Sequence, residues 1–140
     1  MMPAIKQQHR PRALVIEDEP ILQIIHRTLL NRMGFEVIVV GDSQKAIAKW
    51  NEHWDLIFSD IGLPGIDGKE LCRQRREFEK TLGIHTPSFA YTAFGSTVKD
   101  SCLEAGFDAF GVKPMDNFKL YLLLQDLLPQ FELFPLEKTN

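Results

Sequence analysis

Cysteine is scarce in this chain: Cys72 and Cys102 stand alone among 140 residues, in neither a CxxC pair nor metal-ligand spacing. That count leaves no material for a disulfide framework or a zinc ribbon, and the two thiols read as small apolar packing groups in a reducing, cytoplasmic setting. Long hydrophobic runs are missing too, so no segment approaches the ~20 apolar residues of a membrane span. The polar start, Met1 to Arg12, lacks the apolar stretch of a signal peptide. There is also no excess of positive charge. Lys and Arg number 16 against 19 Asp and Glu, for a net charge of -3, which argues against a nucleic-acid surface. Internal repeats and low-complexity segments are absent. What remains, 44% hydrophobic and 25% charged residues, is the balance of one ordinary globular domain.

The pattern along the chain alternates. Ala13 to Ile16 is a short apolar run ending in acids, as expected of a strand buried on both faces. Pro20 suits the first turn of a helix in which Ile21, Leu22, Ile25, Thr28 and Leu29 recur at helical spacing, and Met33-Gly34 stops it. Phe35 to Val40 predicts a second strand, Gly41-Asp42-Ser43 a capping turn, and Gln44 to about Asn51 a helix. Leu56 to Phe58 predicts a third strand ending at Ser59-Asp60, followed by a turn-rich loop from Gly62 to Gly68 and a charged helix from Lys69 to Lys80. Strands at Ser88 to Thr92 and Ala109 to Val112 flank a helix from Ser96 to Ala105, and a last helix runs from Asn117 to Leu128. Crossovers of this length exclude hairpins and predict an α/β fold with a doubly wound, five-stranded parallel sheet. The chain divides into a flexible lead-in over 1–11, one domain over 12–128 and a short tail over 129–140.

The polar residues that stand out all follow strands: Glu17, Asp18 and Glu19 the first, Asp60 the third, Thr92 the fourth and Lys113 the fifth. Open α/β sheets bind ligands at the carboxyl ends of their strands, where the strand order reverses. Carboxylates from two strands, Asp18 and Asp60 with Glu17 nearby, repel one another unless a cation lies between them. Mg²⁺ (or Mn²⁺) suits a few carboxylates completed by water and phosphate oxygens. One carboxylate can then attack a phosphoryl group, with the metal and Lys113 offsetting charge on the transferring oxygens. Thr92 is placed to hydrogen-bond a phosphoryl oxygen after transfer.

The runs Val15-Ile-Glu-Asp-Glu-Pro20, Phe58-Ser-Asp-Ile-Gly-Leu-Pro-Gly-Ile-Asp-Gly68, Tyr91-Thr-Ala-Phe94 and Gly111-Val-Lys-Pro114 resemble the receiver domains of two-component response regulators. The resemblance spans Arg12 to Leu128 with all four motifs in order. It implies a flavodoxin-like (βα)5 receiver fold and a phosphorelay function, in which Asp60 takes a phosphoryl group from a phosphohistidine donor. Glu17 and Asp18 would be metal-site acids, the backbone carbonyl of Gly62 a further ligand, Lys113 the phosphate-pairing lysine, and Thr92 and Phe110 the switch residues. Histidine kinases or histidine phosphotransfer proteins would be the partners. The resemblance implies no conventional enzyme, only a chain that catalyses its own Mg²⁺-dependent phosphorylation and dephosphorylation. With a dozen residues after Leu128, it implies a single-domain regulator or the receiver segment of a hybrid histidine kinase.

Two departures from the family pattern stand out. Phe110 occupies the place of the commoner tyrosine and brings no hydroxyl. Gly62 and Phe94 flank the family's approach for hydrolytic water, one opening it and the other shielding it. A haloacid-dehalogenase-type phosphatase would need a second acid where Gly62 stands. A receiver-like binding module that works without phosphorylation is the remaining alternative, and the complete acid, threonine and lysine set argues against it.

Other residues read more plainly. Glu19 is expected to be solvated, and His26, beside Arg27, to be exposed or at a helix edge. His9, His53 and His85 are scattered and suggest no metal site. Arg73-Gln-Arg-Arg76, interspersed with Glu70, Glu77 and Glu79, predicts a solvated, salt-bridged face. Leu120 to Leu124 is apolar all round, which predicts burial on more than one face. By analogy with the family's partner surface, that helix is expected to carry a dimer or effector contact at Tyr121 and Leu124. The apolar tail residues Phe131, Leu133, Phe134 and Leu136 are expected to dock on it.

Overall fold

A computed structural model describes residues 9–93 and 95–138. The elements are β1 (Arg12–Ile16), α1 (Pro20–Arg32), β2 (Glu36–Val40), α2 (Ser43–Ala48), β3 (Leu56–Ser59), α3 (Gly68–Leu82), β4 (Ser88–Thr92), a 3₁₀ turn (Ser96–Val98) leading into α4 (Lys99–Ala105), β5 (Ala109–Val112) and α5 (Asn117–Leu127). The five strands form one parallel sheet in the order β2-β1-β3-β4-β5, the doubly wound arrangement expected from the sequence.

Alternation along the strands sorts the core into two layers, because successive side chains point to opposite faces. Ala13, Val15, Phe58, Phe89 and Tyr91 face α1 and α5 and meet Leu30, Met33, Leu120 and Leu124. Leu14, Ile16 and Ile57 face the other way, against Ala46 and Leu71, while Ala90 meets Cys72 and Cys102 from α3 and α4.

The helices begin where polar side chains can satisfy the first amide groups. Asp42, Asp67 and Asp116 accept from Lys45, Glu70 and Lys119 N–H respectively. Glu19 is more than a solvated acid: its carboxylate accepts from the amides of Ile21 and Leu22 and caps α1. The second helix is shorter than its apolar pattern predicts, passing into turns after Ala48.

Three expectations about surfaces are corrected. The basic run on α3 is not a solvated face. Arg73 is exposed, but Arg75 is only 3% exposed and donates to Glu79, the Trp50 carbonyl and Thr86. Arg76 bridges Glu79 and Asp108 and donates to the Gly106 and Thr86 carbonyls. A guanidinium's five donors suit a buried junction of loop carbonyls and carboxylates that a lysine would leave unsatisfied.

Leu124, in turn, is fully buried in the core rather than presented to a partner. The reason is local: the chain after α5 folds back and covers the helix. Gln125 holds this return, its amide donating to the Leu128 and Phe131 carbonyls and its oxygen accepting from Leu133 N–H. Phe131, Leu133 and Leu136 are thereby buried in the same cluster as Leu120 and Leu124, whereas Phe134 stays 66% exposed.

His26, expected to be exposed or at a helix edge, is buried as well. Of the lead-in, residues 1–8 lie outside the described ones, and Arg10 donates to the Phe35 carbonyl at 2.6 Å.

Candidate functional site

Register brings the chemistry together. Ile16 aligns with Val40 and with Ser59, Ser59 with Ala90, and Thr92 with Val112. β1, β2 and β3 therefore end level while β4 and β5 run two residues further, and the residues that follow the strands, Glu17, Asp18, Asp60 and Lys113, open onto one edge. The sheet order reverses between β1 and β3, so Glu17 and Asp18 on one side and Asp60 on the other flank the crevice that such a switch point creates.

Lys113 joins the two sides. Its ammonium lies 3.1 Å from Glu17 Oε1 and 3.3 Å from Asp60 Oδ2. Asp60 Oδ1 accepts from Gly62 N–H at 3.1 Å. Thr92 is fully buried beneath the edge, and its carbonyl accepts from Lys113 N–H at 2.7 Å. Phe110 is half-buried against the cluster of Ala90, Cys102 and Phe107. Phe94, the other half of the water-access reading, lies outside the described residues.

The loop after Asp60 is closed by a glycine for a steric reason. Gly68 N–H donates to the Ile61 carbonyl at 2.9 Å. A Cβ at Gly68 would overlap the Asp60 carbonyl oxygen and lie 2.6 Å from Ile61 Cα. Backbone does not yield as a flexible side chain would. Gly68→Ala is therefore expected to cost about 1–3 kcal/mol and to displace Asp60, lowering both the thermal midpoint and cation affinity. A variant matching the parent in both would show that the loop relaxes freely.

Glu17 is 1% exposed. Burial lifts its carboxyl from 4.5 to about 7, with Lys113 opposing the rise and the charge of Asp60 adding to it. Glu17, Asp18 and Asp60 offer carboxylate oxygens all within 4.8 Å of one another. An octahedral Mg²⁺ with bonds near ~2.1 Å separates adjacent ligands by about 3 Å and opposite ones by about 4 Å, so the trio fits such an ion.

Binding there competes with the Glu17 proton. Affinity for Mg²⁺ is thus expected to rise with pH through about 7 and to level off above it. Titration calorimetry on either side of that value checks this, and a flat profile would contradict it. Unfolding is a poorer readout. Between 4.5 and about 7 the unfolded chain releases the Glu17 proton before the fold does, so stability falls as pH rises. His26, lowered from 6.5 to about 4 by burial, works in the opposite sense over most of that window.

His26 is the site residue that sequence reasoning missed. It is 4% exposed, stacked on Tyr91 and edge-on to Phe58, with Nδ1 3.8 Å from Glu17 Oε1. The other histidines are less scattered than expected. His9 and His53 converge on Asp55, at 3.6 and 3.0 Å, and His85 on Asp108 at 2.8 Å. Asp55 and Asp108 also accept from the Arg12 and Ser88 amides, where β1 and β4 begin. These acids thus fasten the opposite edge of the sheet from the site.

A family model described as the response regulator receiver domain matches residues 13–125. A probable histidine kinase from Oryza sativa is 33% identical over 125 residues, covering 76% of this chain and 12% of that protein. A transcriptional regulatory protein from Mycobacterium tuberculosis, TrcR, is 34% identical over 119 residues, covering 84% of this chain and 45% of that protein. The chain thus spans less than half the length of these relatives. Among solved structures, the receiver domain of a Pseudomonas aeruginosa sensor histidine kinase, with magnesium coordinated in its active-site cleft, superposes with a TM-score of 0.77 at 28% identity, covering 86% of this chain and 99% of that one. The response regulator TrrA from Thermotoga maritima, in complex with Mg²⁺ and BeF, gives 0.74 at 27% identity, covering 84% and 99%.

Proposed function

The chain belongs to the response regulator receiver domains of two-component signalling, and from that premise we propose that Asp60 accepts a phosphoryl group from a phosphohistidine donor in a Mg²⁺-dependent transfer. The observation that carries the proposal is the convergence of Glu17, Asp18, Asp60 and Lys113 at the carboxyl edge of the sheet. Glu17, Asp18, Asp60 and the Gly62 carbonyl would hold Mg²⁺ (or Mn²⁺), which when bound supplies positive charge to the transferring oxygens.

In the transfer an Asp60 carboxylate oxygen bonds to phosphorus as the phosphorus–nitrogen bond of the donor breaks, and the electron pair leaves with the imidazole. Asp60 is 14% exposed, open to in-line approach yet fixed through Oδ1 by the Gly62 amide. Lys113 then exchanges its contacts with Glu17 and Asp60 for the new phosphoryl oxygens. The Thr92 hydroxyl, drawn toward the phosphoryl group, leaves room for Phe110 to turn further inward, and the surface around β5 and α5 is the one that partners would read. Lacking a hydroxyl, Phe110 would act by packing alone.

Ile21, Ile24 and Ile25 are 66%, 62% and 43% exposed on α1, just after the acidic loop. Such a cluster of exposed apolar groups supports docking of a histidine kinase or histidine phosphotransfer protein beside Asp60. An effector or a second copy would use the outer side of α5, where Leu122 is 50% exposed. Among the described residues no helix is long and apolar enough to cross a membrane. Cys72 and Cys102 are buried and unpaired, which supports a reducing, cytoplasmic setting.

Incubation with Mg²⁺ and acetyl phosphate or phosphoramidate tests the proposal by intact mass. The expected result is a gain of one phosphoryl group that requires the metal and is lost in Asp60→Asn. A folded, Mg²⁺-binding protein that gains nothing would instead favour the binding module that works without phosphorylation.

A further inference from the structure

Beneath the acidic edge the α1-facing layer of the sheet ends in an aromatic stack. The His26 ring lies 5.3 Å from Tyr91, nearly parallel at 25°, and 5.1 Å from Phe58, edge-on at 64°. Packing alone would account for an aromatic group at this position. It does not account for the polar edge the ring carries. Among the described residues, His26 Nδ1 is the single buried side-chain nitrogen or oxygen without a hydrogen-bond partner. Native interiors seldom leave such an atom orphaned. Its neighbour is Glu17 Oε1, at 3.8 Å, just beyond hydrogen-bond reach, and that same oxygen takes the Lys113 ammonium at 3.1 Å.

A lysine ammonium and an imidazole nitrogen thus face one buried carboxylate oxygen, and only the lysine is engaged. The lysine is also the one with other work to do. Lys113 is repelled by a divalent cation seated among Glu17, Asp18 and Asp60, and is drawn outward by a phosphoryl group on Asp60. Either event strips Glu17 Oε1 of its donor, although Glu17 is 1% exposed and has almost no water to replace it.

We propose that His26 is a positioning residue for the metal site: its Nδ1–H takes over Glu17 Oε1 when Lys113 withdraws, holding the carboxylate aimed at the cation. The ring is fixed against Tyr91 and Phe58, so a small shift of the Glu17 side chain closes the gap. Partners one step removed from a metal commonly orient its ligands in this way, and their loss costs about 10–100-fold in metal affinity. The inference rests on the Mg²⁺ site proposed above, and its test separates the two.

Mg²⁺ affinity is measured by titration calorimetry at about pH 8, above the Glu17 value of about 7, on the parent chain and three variants. His26→Phe keeps the ring without a donor, His26→Asn keeps a donor near the Nδ1 position, and His26→Gln carries one near the Nε2 position. The expected result is a loss of about 10-fold for His26→Phe, with unchanged thermal midpoint. His26→Asn should recover most of that loss and His26→Gln little of it. Nitrogen-15 spectra of the Mg²⁺-loaded parent provide the second readout, independent of any variant's folding, and should show the imidazole protonated at Nδ1. A parent that binds no Mg²⁺ overturns the site itself. A parent that binds, with His26→Phe equal to it or with the proton on Nε2, overturns the role of His26 alone.

Discussion

Replacing Lys113 by methionine is expected to slow phosphoryl gain at Asp60 by about 100-fold or more, the typical effect of removing one preorganised donor from a developing oxyanion. The effect comes less from the lysine's charge in general than from where it sits. Its ammonium is 13% exposed, 3.1 Å from Glu17 and 3.3 Å from Asp60, at the point where the transferred oxygens must arrive. Methionine keeps the apolar stem as far as Cε and removes the ammonium, including its contact over the Tyr91 ring at 5.6 Å. The loss therefore reports charge and hydrogen bonding rather than packing.

A second signature separates this explanation from simple damage. Lys113 lowers the Glu17 carboxyl while burial raises it. Without the lysine, the pH midpoint for Mg²⁺ binding should move upward. Well above that midpoint the variant should bind Mg²⁺ at least as tightly as the parent, because a competing cation is gone. Phosphorylation at the parent's rate, or a midpoint that moves down, would remove Lys113 from the account.

The second large effect is expected at Leu124. Leu124→Ala should destabilise the fold by about 2–5 kcal/mol, the range for deleting a buried leucine. For a domain of this size that lowers the thermal midpoint by roughly 10 °C. The residue is fully buried, packed between the β-strand layer and the returning chain that contributes Phe131, Leu133 and Leu136. Gln125→Ala should loosen the same return by a different route, since its side chain makes three hydrogen bonds to the backbone of 128–133. Tyr121→Ser, on the half-buried flank of α5 where the ring packs on the core and on Phe118, should cost only about 1 kcal/mol, less than Leu124→Ala, while still weakening any partner contact there. Thermal denaturation of the three variants checks this, and a stable Leu124→Ala would mean that the tail does not close over α5.

The sequence made the sheet and the acidic edge visible for a physical reason. A parallel strand buried on both faces is a run of apolar residues, and a polar residue that breaks the run marks the strand's end. Ile16-Glu17, Ser59-Asp60 and Val112-Lys113 are such breaks, and parallel pairing brings these strand ends to one edge as a site.

Helix faces were harder to phase. The isoleucines of α1 suggest an inward stripe through Ile21 and Ile25, yet the buried positions are His26, Leu30 and, just beyond the helix, Met33. A four-residue step from Leu22 reaches His26 and then Leu30, so spacing alone pointed inward. The residue types argued the other way. Histidine looks like a surface residue until a carboxylate and two aromatic rings are placed around it, and those come from β1, β3 and β4. Arg75 hid for the same reason: nothing in a basic run announces that Glu79, Thr86 and the Trp50 carbonyl will enclose one of its members. The covering of α5 was half legible, in the apolar tail, but the latch through Gln125 has no sequence signature.

Locating the phosphoryl group tests whether Asp60 is the acceptor. The protein is treated with Mg²⁺ and acetyl phosphate, reduced with borohydride and digested, and the peptide carrying residue 60 is sequenced by mass spectrometry. An aspartyl phosphate is an acyl phosphate, so reduction converts that one aspartate to homoserine. Homoserine is expected at position 60, dependent on Mg²⁺. Homoserine at another acid, or phosphate recovered on a histidine with Asp60 unchanged, would contradict it.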